Sequence, residues 1–466
     1  DDDSGIGTTW WCVDDGATPC NPLATGVDVS VTPVSVAMTD GSAFEQFVRF
    51  ASEDQALSTV DSTPNEEVVD GNNVISIKLD RENPYLTGAF QIDAGATYTN
   101  HATGVVTLTF NCDDGTGSQC AGYRYSFDGT FDDSAPNETN WVAYPTDGDD
   151  PITLLDIQGS QTVTVQYQDG VGRLSPTDSA TIFFDNLVPN TADNYTSLPA
   201  VTDGWTNGSI DVTVTPSDTD GSANSGIDVT YYCNDVEGAG ACTYTPTTPS
   251  GNTTPIVTSF TESAGNVIVY NLRYYSTDLA ANAQTEVVTQ VKIDLEEPHT
   301  STTFDGSSWV SGSNATVTLD STDYAGSGVA YTYYCVDGDN TCTNWTQAVP
   351  TAGSVDVSLT DTGSIQYVRY YSEDNMGNVE ATIHSVAVRI DATTPTTTAS
   401  DPTPTASDWI NDSVYSFTIT PADAGSGVLN TTYCFADATQ ADCDLGTGTV
   451  VAGTSPFNFD LDTVAA

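Results

Sequence analysis

A close pair of cysteines recurs along the chain at an interval of about one hundred residues, and this recurrence constrains the fold most. The pairs are Cys12/Cys20, Cys112/Cys120, Cys233/Cys242, Cys335/Cys342 and Cys434/Cys443, seven to nine residues apart. A disulfide at such a spacing clips one loop, and one pair per repeat belongs to an oxidising compartment. The rival, a zinc site, needs four N or S ligands, which two isolated thiols without a nearby histidine do not supply. Five disulfide loops are therefore expected. Because the loops are short, each adds local rigidity more than global stability.

The clearest copy of the repeat runs from His299 to Asp391. It reads TSTTF, then Trp309 and ATVTL, an acidic glycine loop DSTDYAGSG, and VAYTYYC. The clipped loop VDGDNTC leads through NWTQAV to SVDVSLT, then to a hairpin of IQYVRYYS, turn EDNMGN and IHSVAVRID. This predicts seven short Thr-, Val- and Tyr-rich strands in a two-sheet sandwich. No segment carries a 3.6-residue apolar period, so almost no helix is expected. Trp205, Trp309 and Trp409 precede the second strand in three copies, and the loop glycines recur in NSGIDVTYYC, GSGVAYTYYC and GSGVLNTTYC. The second copy departs: its cysteines flank the earlier loop, in FNCDDGTGSQCAGYRYSFDG, placing its clip at the opposite pole. The expected units are 1–83, 84–186, 187–297, 298–393 and 394–466. The first should lack its two opening strands and the fifth its last hairpin. Either the chain is a window cut from a longer array, or successive subunits complete each other's sandwiches by strand addition.

The run V-R-Y-Y-S-x-D-x-x-G-N-x-E, followed by V-x-I-D and a Thr/Pro linker, resembles the bacterial and archaeal immunoglobulin-like (fibronectin-III-like) repeats of large cell-surface proteins. The resemblance covers nearly the whole chain. It implies an all-β fold: tandem seven-stranded immunoglobulin-like β-sandwiches in an extended rod, with incomplete terminal repeats. Such arrays occur in surface-layer, filament, stalk and adhesin proteins, as spacers, adhesive tips and lattice units alike.

Charge narrows the partners. The 466 residues carry 64 Asp plus Glu against 9 Lys plus Arg, a formal net charge of -55. This is not a disordered acidic tail, because 38% of residues are apolar and 9% aromatic, in alternating runs that can bury a core. A surface this negative repels nucleic acid and anionic lipid, so neither is an expected partner. No window approaches the ~20 apolar residues of a membrane helix, so this segment should not insert directly into a membrane. Without an initiator Met or signal peptide, an oxidised chain is expected to be processed, or a piece of something longer. Six of the nine cations fill two repeat positions: Arg49, Arg273 and Arg369, then Lys78, Lys292 and Arg389. They should pair with carboxylates on adjacent strands.

A search for catalytic sets finds none. His101 and His299 lie outside the strand motifs and His384 on the predicted last strand, none beside a nucleophile or metal-ligand pattern. Carboxylates are so common that no pair stands out. The chain is therefore expected to be non-enzymatic.

Metal binding is the one chemistry with content. Asp80, Asp185, Asp294 and Asp391 each end a last strand. They should face the following unit's loop acids: Asp218 and Asp220, Asp320 and Asp323, or Asp423. The hairpin acids Asp54, Asp169, Asp278 and Asp374 share that pole. The preceding unit's clipped loop should add Asp235 and Glu237, or Asp337 and Asp339. Carboxylates ~4 Å apart repel by ~1 kcal/mol per pair even in water. Calcium, with 6–8 oxygen ligands, would remove that cost and stiffen the joint. The alternative is a solvated acidic surface that keeps rods apart.

Sequons occur at Asn137, Asn194, Asn207, Asn252, Asn314, Asn344, Asn411 and Asn430. Asn207, Asn314 and Asn411 share one repeat position and are the expected glycosylation sites. The expected role is structural, at an extracellular cell surface, by association with neighbouring copies of the same protein. The alternatives are an adhesin gripping a host surface or glycans, and an accessory region of a secreted hydrolase.

Overall fold

A computed structural model describes residues 6–28, 44–57, 64–67, 73–132, 139–218, 223–240, 242–247, 254–400, 416–434, 444–453 and 456–460. The unit 298–393 shows how the repeat becomes a sandwich. In strand Asn314–Thr322, Ala315, Val317, Leu319 and Ser321 are buried while the residues between them are more exposed, the period of two that a half-buried strand requires. This strand lies between His299–Ser301 and Ser354–Thr360 in a three-stranded antiparallel sheet. Val329–Asp337, Thr346–Ala348, Gln366–Asp374 and His384–Asp391 form the facing sheet. Those are the seven strands of the repeat. The first continues past the Asp305–Gly306 turn as Trp309–Ser311, which crosses over and pairs in parallel with His384–Asp391. That extra segment covers an edge that would otherwise be open to another chain.

Between the sheets, Val317, Leu319, Val357, Leu359, Val368, Val388 and Ile390 pack with almost no exposure. Each such side chain stabilises the fold by about 1.5–3 kcal/mol. Units 84–186 and 187–297 repeat the arrangement of three strands against five. The first unit contributes one sheet, in which Phe44–Leu57 pairs with Ile6–Asp14 and Val74–Leu79. The last contributes Thr396–Ser400, Ser416–Ala422 and Phe457–Asp460 in one sheet, and Asn430–Tyr433 paired with Thr449–Ala452. Among the described residues the α-helix is a single turn, Pro22–Thr25, whose first N–H groups are capped by Asn21.

The core also holds a polar chain that periodicity does not reveal. Thr300 Oγ1 donates to Ser372 Oγ (2.6 Å), Ser372 meets Thr332 (3.0 Å), and Thr332 meets Ser321 (2.6 Å). Thr300, Thr332 and Ser372 are fully buried, and the chain joins four strands across both sheets. Thr191, Ser276 and Thr230 repeat it in the preceding unit.

Disulfides join Cys12 to Cys20, Cys112 to Cys120, Cys233 to Cys242 and Cys335 to Cys342, with Cα separations of 6.2, 6.2, 6.0 and 6.2 Å. Cys434 is also disulfide-bonded, and Cys443 lies outside the described residues. The Cys112–Cys120 clip sits beside the hairpin acid Asp169, at the pole opposite to the clips of the next two units.

The cations diverge from the expected pattern. Arg49 pairs with Asp14 (2.6 Å), Arg273 with Asp235 and Glu286 (both 3.1 Å), and Lys78 with Glu45 at the surface. Arg369 instead donates to the Thr341 carbonyl, Arg389 to the Gly306 carbonyl, and Lys292 lies over the Trp205 ring. A guanidinium carries five N–H donors and can satisfy a loop carbonyl as well as a carboxylate.

Candidate metal centre

Each junction is built from three short pieces of chain. Asp80, Asp185, Asp294 and Asp391 stand at the end of a unit, and the next unit reaches back with the loop between its second and third long strands. The backbone N–H groups of Ser118, Ser225, Ser327 and Ser426 donate to these four carboxylates at 2.6, 2.8, 2.6 and 2.7 Å. The same loop carries Asp114, Asp218, Asp323 or Asp423, each accepting from a backbone N–H further along it at 2.8, 2.7, 2.6 and 2.8 Å. At three of the four junctions the residue before that serine is a glycine packed against the carboxylates (Gly117, Gly326 and Gly425), whereas the second carries Asn224 there. A Cβ on Gly326 would lie 2.6 Å from Asp323 Oδ2 and 2.7 Å from Asp294 Oδ2.

The third piece is the turn of the following unit's last hairpin, which carries Asp169, Asp278 or Asp374. Asn282 and Asn378 lock it: each side-chain amide donates to Asp278 or Asp374 (2.8 and 2.7 Å) and to the carbonyl of Asp185 or Asp294 (2.9 and 3.1 Å). At the first junction Arg173 takes this place, its backbone N–H on Asp169 and its guanidinium on the Asp80 carbonyl.

Three carboxylate triads result: Asp80–Asp114–Asp169, Asp185–Asp218–Asp278 and Asp294–Asp323–Asp374. In each, one candidate ligand atom per residue lies within 4.8 Å of the others. Asp294, Asp323 and Asp374 are 0%, 7% and 2% exposed. Like charges so close and so dry do not ionise freely. Burial, and then the neighbouring Asp80 charge, push the Asp114 carboxyl up to about 6. Burial raises Asp323 to about 6 as well, against the pull of the Gly328 N–H, with Asp294 and Asp374 adding repulsion. Asp278 and Asp374 are raised for the same reasons. Asp80 is lowered, because its hydrogen bonds to Ser118 and Glu82 outweigh its burial. Asp114 Oδ1, Asp169 Oδ2 and Asp323 Oδ1 are buried with no hydrogen-bond donor among the described residues. Such orphaned anionic oxygens suit a hard cation.

Of the expected ligands, Asp80, Asp185, Asp218, Asp278, Asp294, Asp323 and Asp374 converge at the junctions. Asp391 and Asp423 meet at the fourth, bridged by the Thr393 hydroxyl. Asp320 does not join: it accepts from the Ser354 hydroxyl on the neighbouring strand, because its position in the alternation turns it from the pole. The clipped-loop acids stay away too. Asp235 binds Asn271 and Arg273, and Asp337 binds the backbone of its own loop at Asn340, Thr341 and Cys342. Glu237 pairs with Gln290, and Asp339 with Thr341. Asp220 lies outside the described residues, as do Asn411, Trp409, Asn137 and Asn252. Sequence reasoning did not single out Asp114. Its loop could have been found by aligning DGTGSQ with DYAGSG, but the displaced cysteine clip hides the match.

Asn207 and Asn314 are exposed. The Asn207 side-chain amide donates to the Met376 carbonyl of the next unit (3.0 Å), so a glycan there would replace a junction contact.

Neither a protein-family model nor a curated protein matches the chain. Among solved structures, the fibronectin(III)-like modules of Clostridium thermocellum CbhA align over 43% of this chain and 93% of that one. Their identity is 15% and the TM-score 0.21. The FN1–FN3 domains of chicken CNTN1 align over 66% of this chain and 99% of that one, at 13% identity and a TM-score of 0.21. At such scores the likeness adds nothing to the strand pairing. The pairing itself defines the class: tandem fibronectin-III/immunoglobulin-like β-sandwiches, with three strands facing five among the described residues of units 84–186, 187–297 and 298–393. Four disulfides fit an oxidising, extracellular setting, and no helix among the described residues is long and apolar enough to cross a membrane.

Proposed function

We propose that this chain is a non-enzymatic, load-bearing segment of a cell-surface filament, surface layer or stalk, whose joints are stiffened by calcium. The observation that carries this reading is the repetition of the junction. The same three aspartates, from two units, meet at 80–114–169, 185–218–278 and 294–323–374. An aspartate that serves only solubility has no reason to be 0% exposed and surrounded by its own charge, as Asp294 is. A hard cation cancels the repulsion and ties the last strand of one unit to the loop and hairpin of the next, with waters completing its 6–8 oxygens. The partners on this reading are further copies of the same protein.

The test is calorimetry with and without calcium. At a free calcium concentration of 100 times Kd, each junction gains about 2.7 kcal/mol, so melting should shift upward by several degrees and reverse with a chelator. Chelator-insensitive melting, with no calcium-dependent change in hydrodynamic size, would sink the proposal.

A second reading, adhesion to surface glycans, draws on the outer face of the five-stranded sheets. Tyr333 stacks on Tyr371 (4.9 Å) with Trp345 edge-on (4.8 Å), and Tyr231 stacks on Tyr275 (4.8 Å) with Tyr244 edge-on (5.3 Å). These rings lie outside the core, in partial contact with solvent. A glycan-array signal lost in Trp345→Ala and Tyr371→Ala would favour adhesion. Ordered polymerisation of the purified chain would favour architecture.

A further inference from the structure

Two of the three histidines in the chain, far apart in sequence, meet around one buried carboxylate. Glu380 is 5% exposed. His384 Nε2 lies 2.9 Å from Glu380 Oε1, and His299 Nδ1 lies 3.5 Å from the same oxygen. No ligand motif joins these residues in the sequence. His299 opens the unit, Glu380 follows the last hairpin turn and His384 begins the last strand, so sheet pairing alone brings them together.

The preceding unit shows what this place needs structurally. There Gln284 ties the first strand to the sixth: its side chain accepts from the Thr191 N–H (3.2 Å) and donates to the Thr191 carbonyl (2.9 Å). Glu380 occupies the equivalent position, accepting from the N–H groups of Thr300 (3.0 Å) and Ser372 (3.1 Å). A glutamine already makes the tie without charge, so the carboxylate is not required for it. The residue before Thr191 is Asn190, and Val287 stands opposite Tyr274 as His384 stands opposite Tyr370. All three positions therefore change together, from Asn190, Gln284 and Val287 to His299, Glu380 and His384. A buried anion and two imidazoles arrive as a set.

We propose that His299, Glu380 and His384 form a binding site for a late first-row divalent cation, of which Zn2+ is the working probe. Two imidazole nitrogens and one carboxylate oxygen are a donor set of borderline softness that suits zinc, nickel or copper, and differs from the all-oxygen triads at the junctions. Glu380 is preset for it: the two backbone donors hold the carboxylate in place, as outer partners of a metal ligand do. The ligand atoms lie within 4.8 Å of one another, a distance that rotation of the half-exposed His299 ring closes around a central ion. The remaining coordination positions face a cleft of about 870 Å³ whose walls include Glu296, Glu297 and Tyr324. The alternative is an ion pair of protonated histidine with Glu380. It leaves His299, at 3.5 Å, without a proper hydrogen bond.

Zn2+ titration of the full chain in buffer with excess calcium and 0.3 M salt separates this site from the triads and from general attraction to a chain of formal charge -55. One saturable equivalent is expected. His299→Asn, Glu380→Gln and His384→Val, the residues the neighbouring unit uses, should each weaken it by at least the about 10–100-fold that loss of an outer partner of a metal ligand costs and together abolish it, while His101→Asn leaves it unchanged. Co2+ should give a d–d absorption band lost in the triple variant. A triple variant that binds Zn2+ as the parent does would overturn the proposal. Should that variant misfold, imidazole NMR of the unmodified chain decides: signals of two histidines must shift with Zn2+, and the absence of shifts refutes the site.

Discussion

Asp323 and Asp114 are where the junction is most finely balanced. A carboxyl held near 6 when folded, against 3.8 ordinarily, keeps a proton that the unfolded chain has lost between those values. Without metal, the contribution of these two groups to stability is therefore full at low pH and lost as pH rises through about 4–6. Asp80, lowered by its hydrogen bonds, works the other way: its contribution is present above the ordinary carboxylate range and lost on acidification. In chelator, the stability of the parent relative to an Asp114→Asn/Asp323→Asn variant should fall between pH 4.5 and 7 by on the order of 1–2 kcal/mol per group. Calcium reverses the slope, because the cation displaces the proton. Denaturant melts at the two pH values, with and without calcium, measure this directly. Asp323→Asn alone should stabilise the metal-free junction by on the order of 1 kcal/mol and reduce its calcium response.

At the scale of elements, two local features hold the sandwich and its joint. The Thr300–Ser372–Thr332–Ser321 hydroxyl chain crosses a core that is otherwise aliphatic. Ser372→Ala leaves the buried Thr300 hydroxyl without its partner and Thr332 with Ser321 alone, and should cost about 1–3 kcal/mol in urea unfolding. The loop that reaches back to the preceding unit depends on Gly326, since an added methyl would fall within 2.7 Å of two carboxylate oxygens. Gly326→Ala should destabilise by about 1–3 kcal/mol and lower calcium affinity, whereas alanine at Gly338, which has open space around it, should not change calcium affinity.

Across the whole molecule, the joints decide whether a string of sandwiches behaves as beads or as a beam. If three ions close three junctions, chelation should free the units to hinge, and small-angle scattering should show a calcium-dependent change in the radius of gyration. Much of this was legible in the amino acids themselves. The cysteine interval, the two-residue alternation of strands such as ATVTL and the recurrent V-R-Y-Y-S run specify the strands, their order and the disulfide loops, because those depend on near neighbours in the chain. The aspartates ending each last strand already pointed to the joint. What only tertiary structure decided is which acids meet there and which do not. Asp320 and Asp337 look no different from Asp323 and Asp374 in sequence, yet alternation and loop closure turn the first two aside. The gathering of His299 and His384 at Glu380 is likewise a product of strand pairing over some eighty residues. A carboxylate's partners and charge state follow from distance and dehydration, and neither exists until the sheets have closed.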